Sequence, residues 1–196
     1  MKKKEKLSVD IPTIEEIENE QKRLRHRAVY QRTLRGTIAV LLVVAAISVL
    51  VATLWMPVLQ IYGSSMSPTL EAGQIVVSVK TNQLKTGEVV AFWQGNKLLV
   101  KRVIAGPGQW VDIDMDGNVT VDGKELTEDY LDVKALGNCD VELPHQVEES
   151  RWFLMGDNRD VSVDSRSAAI GDVSKDQIEG KIVFRIWPLN KIGSIQ

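Results

Sequence analysis

Cysteine and histidine are nearly absent from this chain of 196 residues, and what they would supply is absent with them. A single cysteine, Cys139, excludes an intramolecular disulfide and a multi-cysteine zinc site, and the two histidines, His26 and His145, lie far apart in sequence. No metal and no cofactor is expected. There is no basic excess either: 24 Lys and Arg stand against 26 Asp and Glu, a net charge of -2, so the electrostatic footprint of a nucleic-acid binder is missing. Between Gly36 and Leu70 charge of either sign is missing altogether. Internal repeats and low-complexity tracts are absent as well.

The uncharged run from Gly36 to Met56 is about 21 residues long and, as a helix, covers roughly 31 Å, the hydrocarbon thickness of a bilayer. A cleaved leader needs a shorter apolar core nearer the N-terminus, so the run reads as an uncleaved single-pass anchor. Lys2, Lys3, Lys4, Lys6, Lys22, Arg23, Arg25, Arg27, Arg32 and Arg35 precede it, whereas the first charge after it is Glu71. By the positive-inside rule the N-terminus is expected in the cytoplasm and the remainder outside the cell membrane, with Trp55 at the interface. Residues 1–35 read as a basic cytoplasmic stem, helical from about Thr13, where Thr13 and Glu16 are spaced as a capping box. The stem sets topology and touches anionic lipid.

Residues 36–58 are thus assigned to the anchor and 59–196 to an extracytoplasmic domain, large enough for one core. Short β-branched or aromatic runs fill it, at 74–79, 87–92, 97–104, 118–121, 151–155 and 180–187. Turn pairs such as Thr86-Gly87, Asp116-Gly117 and Asp122-Gly123 separate them. The expected fold is mostly β, a sandwich or partly open barrel, with an acidic, loop-rich cap inserted at about 114–150.

Three segments are candidates for chemistry. Ser65 lies in Tyr62-Gly-Ser-Ser-Met-Ser-Pro-Thr-Leu70, where Pro68 stiffens the loop. Such a serine is most often an ordinary turn residue, but a rigid turn beside glycine also suits a nucleophile that presents Oγ and N–H to one point. Neither histidine is placed to serve it as a base. Lys101 interrupts the apolar run Leu98-Leu-Val-Lys-Arg-Val-Ile104, and strand alternation sets it on one face with Leu99 and Val103. A lone strand lysine usually snorkels to the surface; one buried between apolar neighbours loses its charge more easily and becomes a base. The third segment is Gly156-Asp-Asn-Arg-Asp-Val-Ser-Val-Asp-Ser-Arg166, a polar loop in which Ser162 can hydrogen-bond an amine and Asp164 can pair with Arg166.

Ser65-Met-Ser-Pro-Thr-Leu70, Lys101-Arg-Val-Ile-Ala-Gly-Pro-Gly108 and Gly156 to Arg166, in this order behind an anchor, resemble the successive boxes of bacterial type I signal peptidases of the compact, Gram-positive type. Residues 180–193 resemble the family's closing strand. The resemblance implies a membrane-bound serine endopeptidase that removes N-terminal signal peptides from exported preproteins with a Ser/Lys dyad on a β fold. Its partners would be preprotein signal peptides, the lipid bilayer and the secretion translocon. Ser65 falls on the nucleophile, Lys101 on the general base and Ser162 on the serine that orients the lysine. Met66 falls on the substrate wall, and Asp157, Arg102, Asp164 and Arg166 on structural support. The chain departs from the family in having Gly63 where some members carry a serine that assists the oxyanion hole. Gln109 stands in place of an aspartate, and two extra residues precede Gly171. Substrate is expected as an added strand, with Met66 and members of Ile75-Val-Val77 forming shallow pockets for small side chains. Ser/Lys peptidases of the self-cleaving repressor type are cytoplasmic and joined to DNA-binding domains, which the anchor argues against. Intact Ser65 and Lys101 argue against an inactive β domain that only binds exported chains.

Overall fold

The computed structural model describes residues 13–81 and 83–195, apart from the side chains of Val51, Ala52, Leu54 and Trp55. Lys2, Lys3, Lys4 and Lys6, and the indole of Trp55, lie outside the described residues. The chain divides after Leu50 into a helical unit and a β unit.

The first element is one helix, α1 (Ile14–Trp55). It starts at the expected capping box: the Thr13 N–H donates to Glu16 Oε2 at 2.9 Å and the Glu16 N–H to Thr13 Oγ1 at 3.4 Å. No proline interrupts it, and it stops shortly before Pro57, which disfavours helix in the residue preceding it. Over Ile14–Leu50 its most apolar stretch reaches a mean hydropathy of 2.2 and is not covered by protein. Leu41, Leu42, Val43 and Val44 are exposed one after another, so the helix is apolar all round rather than along one stripe. Thr37 and Ser48 turn their hydroxyls back to the carbonyls of Thr33 and Val44, at 3.0 and 2.8 Å, so neither asks for water.

The first strand begins within the segment 36–58 that was expected to be anchor. Pro57 ends the helical path, and Val58 already opens a strand. The strands of the β unit are β1 (Val58–Gln60), β2 (Ile75–Val79), β3 (Val89–Gln94), β4 (Lys97–Ala105), β5 (Trp110–Ile113), β6 (Val119–Val121), β7 (Lys124–Glu125), β8 (His145–Gln146), β9 (Arg151–Met155), β10 (Val173–Ser174), β11 (Ile178–Trp187) and β12 (Gly193–Ser194). The larger sheet has the order β1-β2-β11-β3-β4-β9-β10, with β12 on β11; the smaller is β7-β6-β5-β8. The fold is mostly β, as the short β-branched runs predict. The smaller sheet opens at Trp110, ahead of the expected insertion at 114, because Trp110-Val-Asp-Ile113 buries alternate residues against it and pairs with β6.

Three apolar clusters hold the unit together. Val89 and Ala91 of β3 join Ile61, Met66, Leu70 and Val76 on one side of the larger sheet. Val90 and Phe92 join Val103, Leu154 and Val173 on the other. Ile104, Phe153 and Met155 pack with Val111, Ile113 and Val119 of the smaller sheet. Each of these side chains larger than alanine contributes roughly 1.5–3 kcal/mol on burial. The β3–β4 hairpin closes on Gly95-Asn96, with Gly95 at φ +58, the left-handed first position that lets a two-residue turn follow the twist of the strands.

Candidate active site

Ser65 starts a turn between β1 and β2. The turn is closed by the Ser67 N–H donating to the Ser64 carbonyl at 3.1 Å and the Leu70 N–H to the Met66 carbonyl at 2.8 Å. Met66 and Leu70 are buried in the core and anchor it. Ahead of it, Gly63 has φ +81, a conformation that a side chain strains. The Ile61 N–H bonds to the Gln74 carbonyl at 2.8 Å, which ties the approach to the turn onto the start of β2.

Lys101 pairs with Val90 across the β3–β4 ladder and is only 3% exposed. Its neighbours on the strand divide as alternation predicts: Leu99 and Val103 pack with Val90 and Phe92, and Val100 packs with Val89 and Ala91. Burial lowers the Lys101 pKa to about 8; the Asp164 and Asp157 carboxylates pull it back up, and the Arg166 guanidinium pushes it down. A lysine so placed is neutral in an appreciable fraction of molecules near pH 7, where a free one is almost wholly charged.

Ser65 and Lys101 line one groove of about 550 Å³, together with Leu59, Ile61, Gly63 and Met66. Their side chains make no direct hydrogen bond, as is common for catalytic pairs without substrate. The groove also runs along Val58 and Gln60 of β1 and Leu98 to Val100 of β4. Ile75, Val76 and Val77 do not line it: Val76 is buried in the same core cluster as Met66, and β1, which pairs with β2, takes the place on the wall expected for them.

The segment 156–166 meets the nucleophile turn from behind. The Asn158 N–H donates to the Ser65 carbonyl at 3.1 Å. A side chain at Gly156 would collide with both the Ser65 carbonyl and the Ser162 hydroxyl, so glycine alone lets these residues converge. Ser162 is buried, and its Oγ has no hydrogen-bond partner of ordinary geometry among the described residues, although the Asp164 carboxylate is close enough to be influenced by it. A buried hydroxyl in that condition is a donor or acceptor held in reserve.

Two buried ion pairs fix the surroundings. Arg102 binds Asp157 through Nε at 2.9 Å and Nη2 at 2.7 Å, reaches the Gly87 carbonyl at 2.6 Å, and lies under the Tyr130 ring at 3.8 Å. Arg166 binds Asp164 through Nε at 2.9 Å and Nη2 at 2.8 Å and donates to the Leu136 carbonyl at 2.6 Å. A third buried pair, Arg159 with Glu128, was not expected from the residues; in it Arg159 Nε also donates to the Gly156 carbonyl at 3.1 Å. Glu128 sits in an acidic stretch where nothing local separates a buried carboxylate from a solvated one. His145 is bound to Asp172, with Nε2 at 3.0 Å from Oδ1, and does not line the groove. Among the described residues no group of His, Cys, Asp and Glu is placed to hold a metal ion.

The family described as signal peptidase, peptidase S26, matches residues 34–187. The chain is 38% identical over 152 residues to signal peptidase IB of Staphylococcus aureus (strain COL), covering 67% of this chain and 78% of that protein. It is 33% identical over 170 residues to signal peptidase I of Bacillus licheniformis, covering 79% and 88%. A crystal structure of a signal peptidase I from Enterococcus faecalis V583 is 25% identical, covers 52% of this chain and 98% of that one, and has a TM-score of 0.43. With a family match from residue 34 to residue 187 and relatives at this identity over most of their length, the chain belongs to the signal peptidase family, peptidase S26, and is a serine peptidase.

Proposed function

We propose that the protein is a membrane-anchored endopeptidase that removes N-terminal signal peptides from exported preproteins, with Ser65 as nucleophile and Lys101 as general base. The observation that carries this reading is the meeting of Ser65 and a buried Lys101 in one groove bounded by two open strand edges. Among the described residues β1 pairs only with β2, and β9 pairs with β4 only from Arg102 onward, which leaves Lys97 to Lys101 open on that side. An even number of antiparallel steps separates β1 from β4, so the two edges run in the same direction, both toward the site. A signal peptide laid between them as a strand finds main-chain partners on either side.

In the reaction, neutral Lys101 Nζ takes the proton of Ser65 Oγ as the oxygen attacks the scissile carbonyl. The Ser65 N–H donates to the developing oxyanion. With Gly63 offering no hydroxyl, the hole rests on the Ser65 N–H and on a further donor, such as water. The Lys101 ammonium then protonates the leaving amine, and the acyl-enzyme forms. Lys101, neutral again, takes a proton from water, whose oxygen attacks the ester; Ser65 recovers its proton and the signal peptide leaves with a free carboxylate. Ser162 orients the lysine, and Asp157, Arg102, Asp164 and Arg166 hold its surroundings in place. Leu59, Ile61 and Met66, which line the groove, form the apolar wall against which the small side chains pack.

The test is cleavage of a preprotein in detergent with the residue before the cut varied. Ala, Gly and Ser are expected to be cleaved well, and kcat/KM to fall about tenfold or more at Val, Leu and Phe. Equal cleavage after Leu or Phe would leave a broader membrane protease as the better reading.

For topology we propose residues 1–35 as cytoplasmic stem, α1 from Gly36 to Trp55 as the span, and the β unit outside, where chains emerge from the translocon. The charge asymmetry about the span supports this. In a Cys139→Ser background, an impermeant thiol reagent added outside is expected to label Lys124→Cys and to spare Glu18→Cys. Labelling of Glu18→Cys alone refutes the orientation.

A further inference from the structure

The far end of the groove carries a residue that neither the dyad nor the pockets use. Trp93 lies on β3, lines the groove with Val58 and Leu98, and is 42% exposed, whereas its neighbour Phe92 is fully buried. Trp110 and Trp187 are as exposed, at 48% and 49%, but neither lines the groove, so Trp93 is the tryptophan placed to meet what binds there.

Its polar edge is already satisfied. The Trp93 indole N–H donates to Glu179 Oε2 at 3.0 Å, and the Gln177 amide donates to the Trp93 carbonyl at 3.1 Å. Glu179 is itself 3.9 Å from Lys80. The ring is therefore held in one place and offers its apolar surface without losing side-chain freedom when something packs on it.

Its position along the groove follows from register. Val90 pairs with Lys101 and Trp93 with Leu98, so at about 3.3 Å per residue the indole lies roughly 10 Å along the strands from the lysine. The groove reaches Trp93 along the residues of β1 that precede Ser65 and those of β4 that precede Lys101, so it takes substrate on one side of the cut. That side holds the small residues of a cleavage site, and ahead of them comes the apolar core of the signal peptide.

We infer that Trp93 is a specificity-determining residue that packs on the apolar side chain four or five positions before the scissile bond, where the apolar core of the signal peptide ends. The inference rests on the groove being the signal-peptide site. It gives the enzyme a second reading point, so that small residues at the cut are accepted best when an apolar segment ends at a fixed distance ahead of them.

The test uses the full-length protein in detergent and two peptide substrates that are identical from three positions before the cut onward. One carries Leu at the fourth and fifth positions before the cut and the other Ser. The wild-type protein is expected to favour the Leu peptide by about tenfold in kcat/KM, the discrimination typical of an apolar contact. Trp93→Ala and Trp93→Thr are expected to bring the ratio close to one, and Trp93→Phe, which keeps a ring, to retain most of it. An unchanged ratio in either small variant overturns the inference, as does a fall for both peptides by the same factor. Failure of the wild-type protein to cleave either peptide would instead count against the signal-peptidase reading itself.

Discussion

Ser65→Ala, Lys101→Ala and the double variant are expected to lose the same activity, about 10⁴-fold or more in kcat, because members of one catalytic unit are not additive. Cleavage of a preprotein at saturating concentration checks it; a double variant much worse than either single one would mean that the two residues act separately. The pH profile follows from the burial of Lys101. Only its neutral form accepts the serine proton, so the rate is expected to rise with pH and to be half-maximal near the Lys101 pKa of about 8. The same lowered pKa sets a stability dependence of opposite benefit. Between about 8 and the free value near 10.4 the unfolded chain binds more protons than the folded one, so stability rises with pH through that window. Below it both states carry the charge and the burial cost is fully present. Lys101→Met is therefore expected to be inactive yet more stable at pH 7, by up to about 3 kcal/mol. Thermal unfolding at pH 7 and pH 10 measures it, and a less stable methionine variant would contradict the desolvated lysine.

Asp164→Ala is expected to destabilise the β unit by about 3–5 kcal/mol, the cost of leaving one partner of a buried ion pair without the other. Both side chains of the Asp164–Arg166 pair are fully buried. Asp164 Oδ2 also accepts the Gly156 N–H at 2.9 Å, and Oδ1 the Arg166 N–H at 3.2 Å, so the truncation frees a guanidinium and two backbone donors together. For a chain of this size the loss corresponds to a fall in Tm of roughly 10 °C or more. Burial alone pushes the Asp164 carboxyl up; the Arg166 hydrogen bonds and charge outweigh it and hold the pKa below the usual carboxylate value. The pair's contribution is accordingly present at neutral pH and is lost as the solution is acidified through that lowered pKa. Asp164→Asn keeps the size of the side chain but turns one acceptor oxygen into a donor facing an N–H and leaves Arg166 unpaired, so it too is expected to lose stability. By removing a carboxylate that holds the Lys101 pKa up, it is also expected to move the pH–rate profile of the protein that remains folded toward acid. A profile that stays in place would show that Asp164 supports the fold without acting on the lysine.

The parts of this protein that depend on neighbours along the chain were legible in the residues. The helix from the capping box at Thr13, the six β-branched runs and the placing of Leu99 and Val103 apart from Val100 all follow from local period, and the structure contains each of them. Local composition also marked Ser65 and Lys101 as residues of interest, since a lysine inside an apolar strand and a serine in a proline-stiffened turn are visible without a fold.

What only the tertiary structure decided is which distant segments meet. Val58–Gln60, hidden at the end of the apolar run, pairs with Ile75–Val77 and takes the groove wall that the sequence reading gave to those residues, because a strand's partner depends on register and not on its own period. Glu128 and Asp129 are adjacent acids in one loop, yet Glu128 is buried on Arg159 and Asp129 is exposed. Trp93 and Phe92 are adjacent aromatics in one strand, yet one faces the groove and the other the core. The physical reason is common to all three. Hydrophobic period fixes the conformation of a segment, whereas burial, pairing and the field at Lys101 are set by residues far off in sequence that come near only once the sheets have closed.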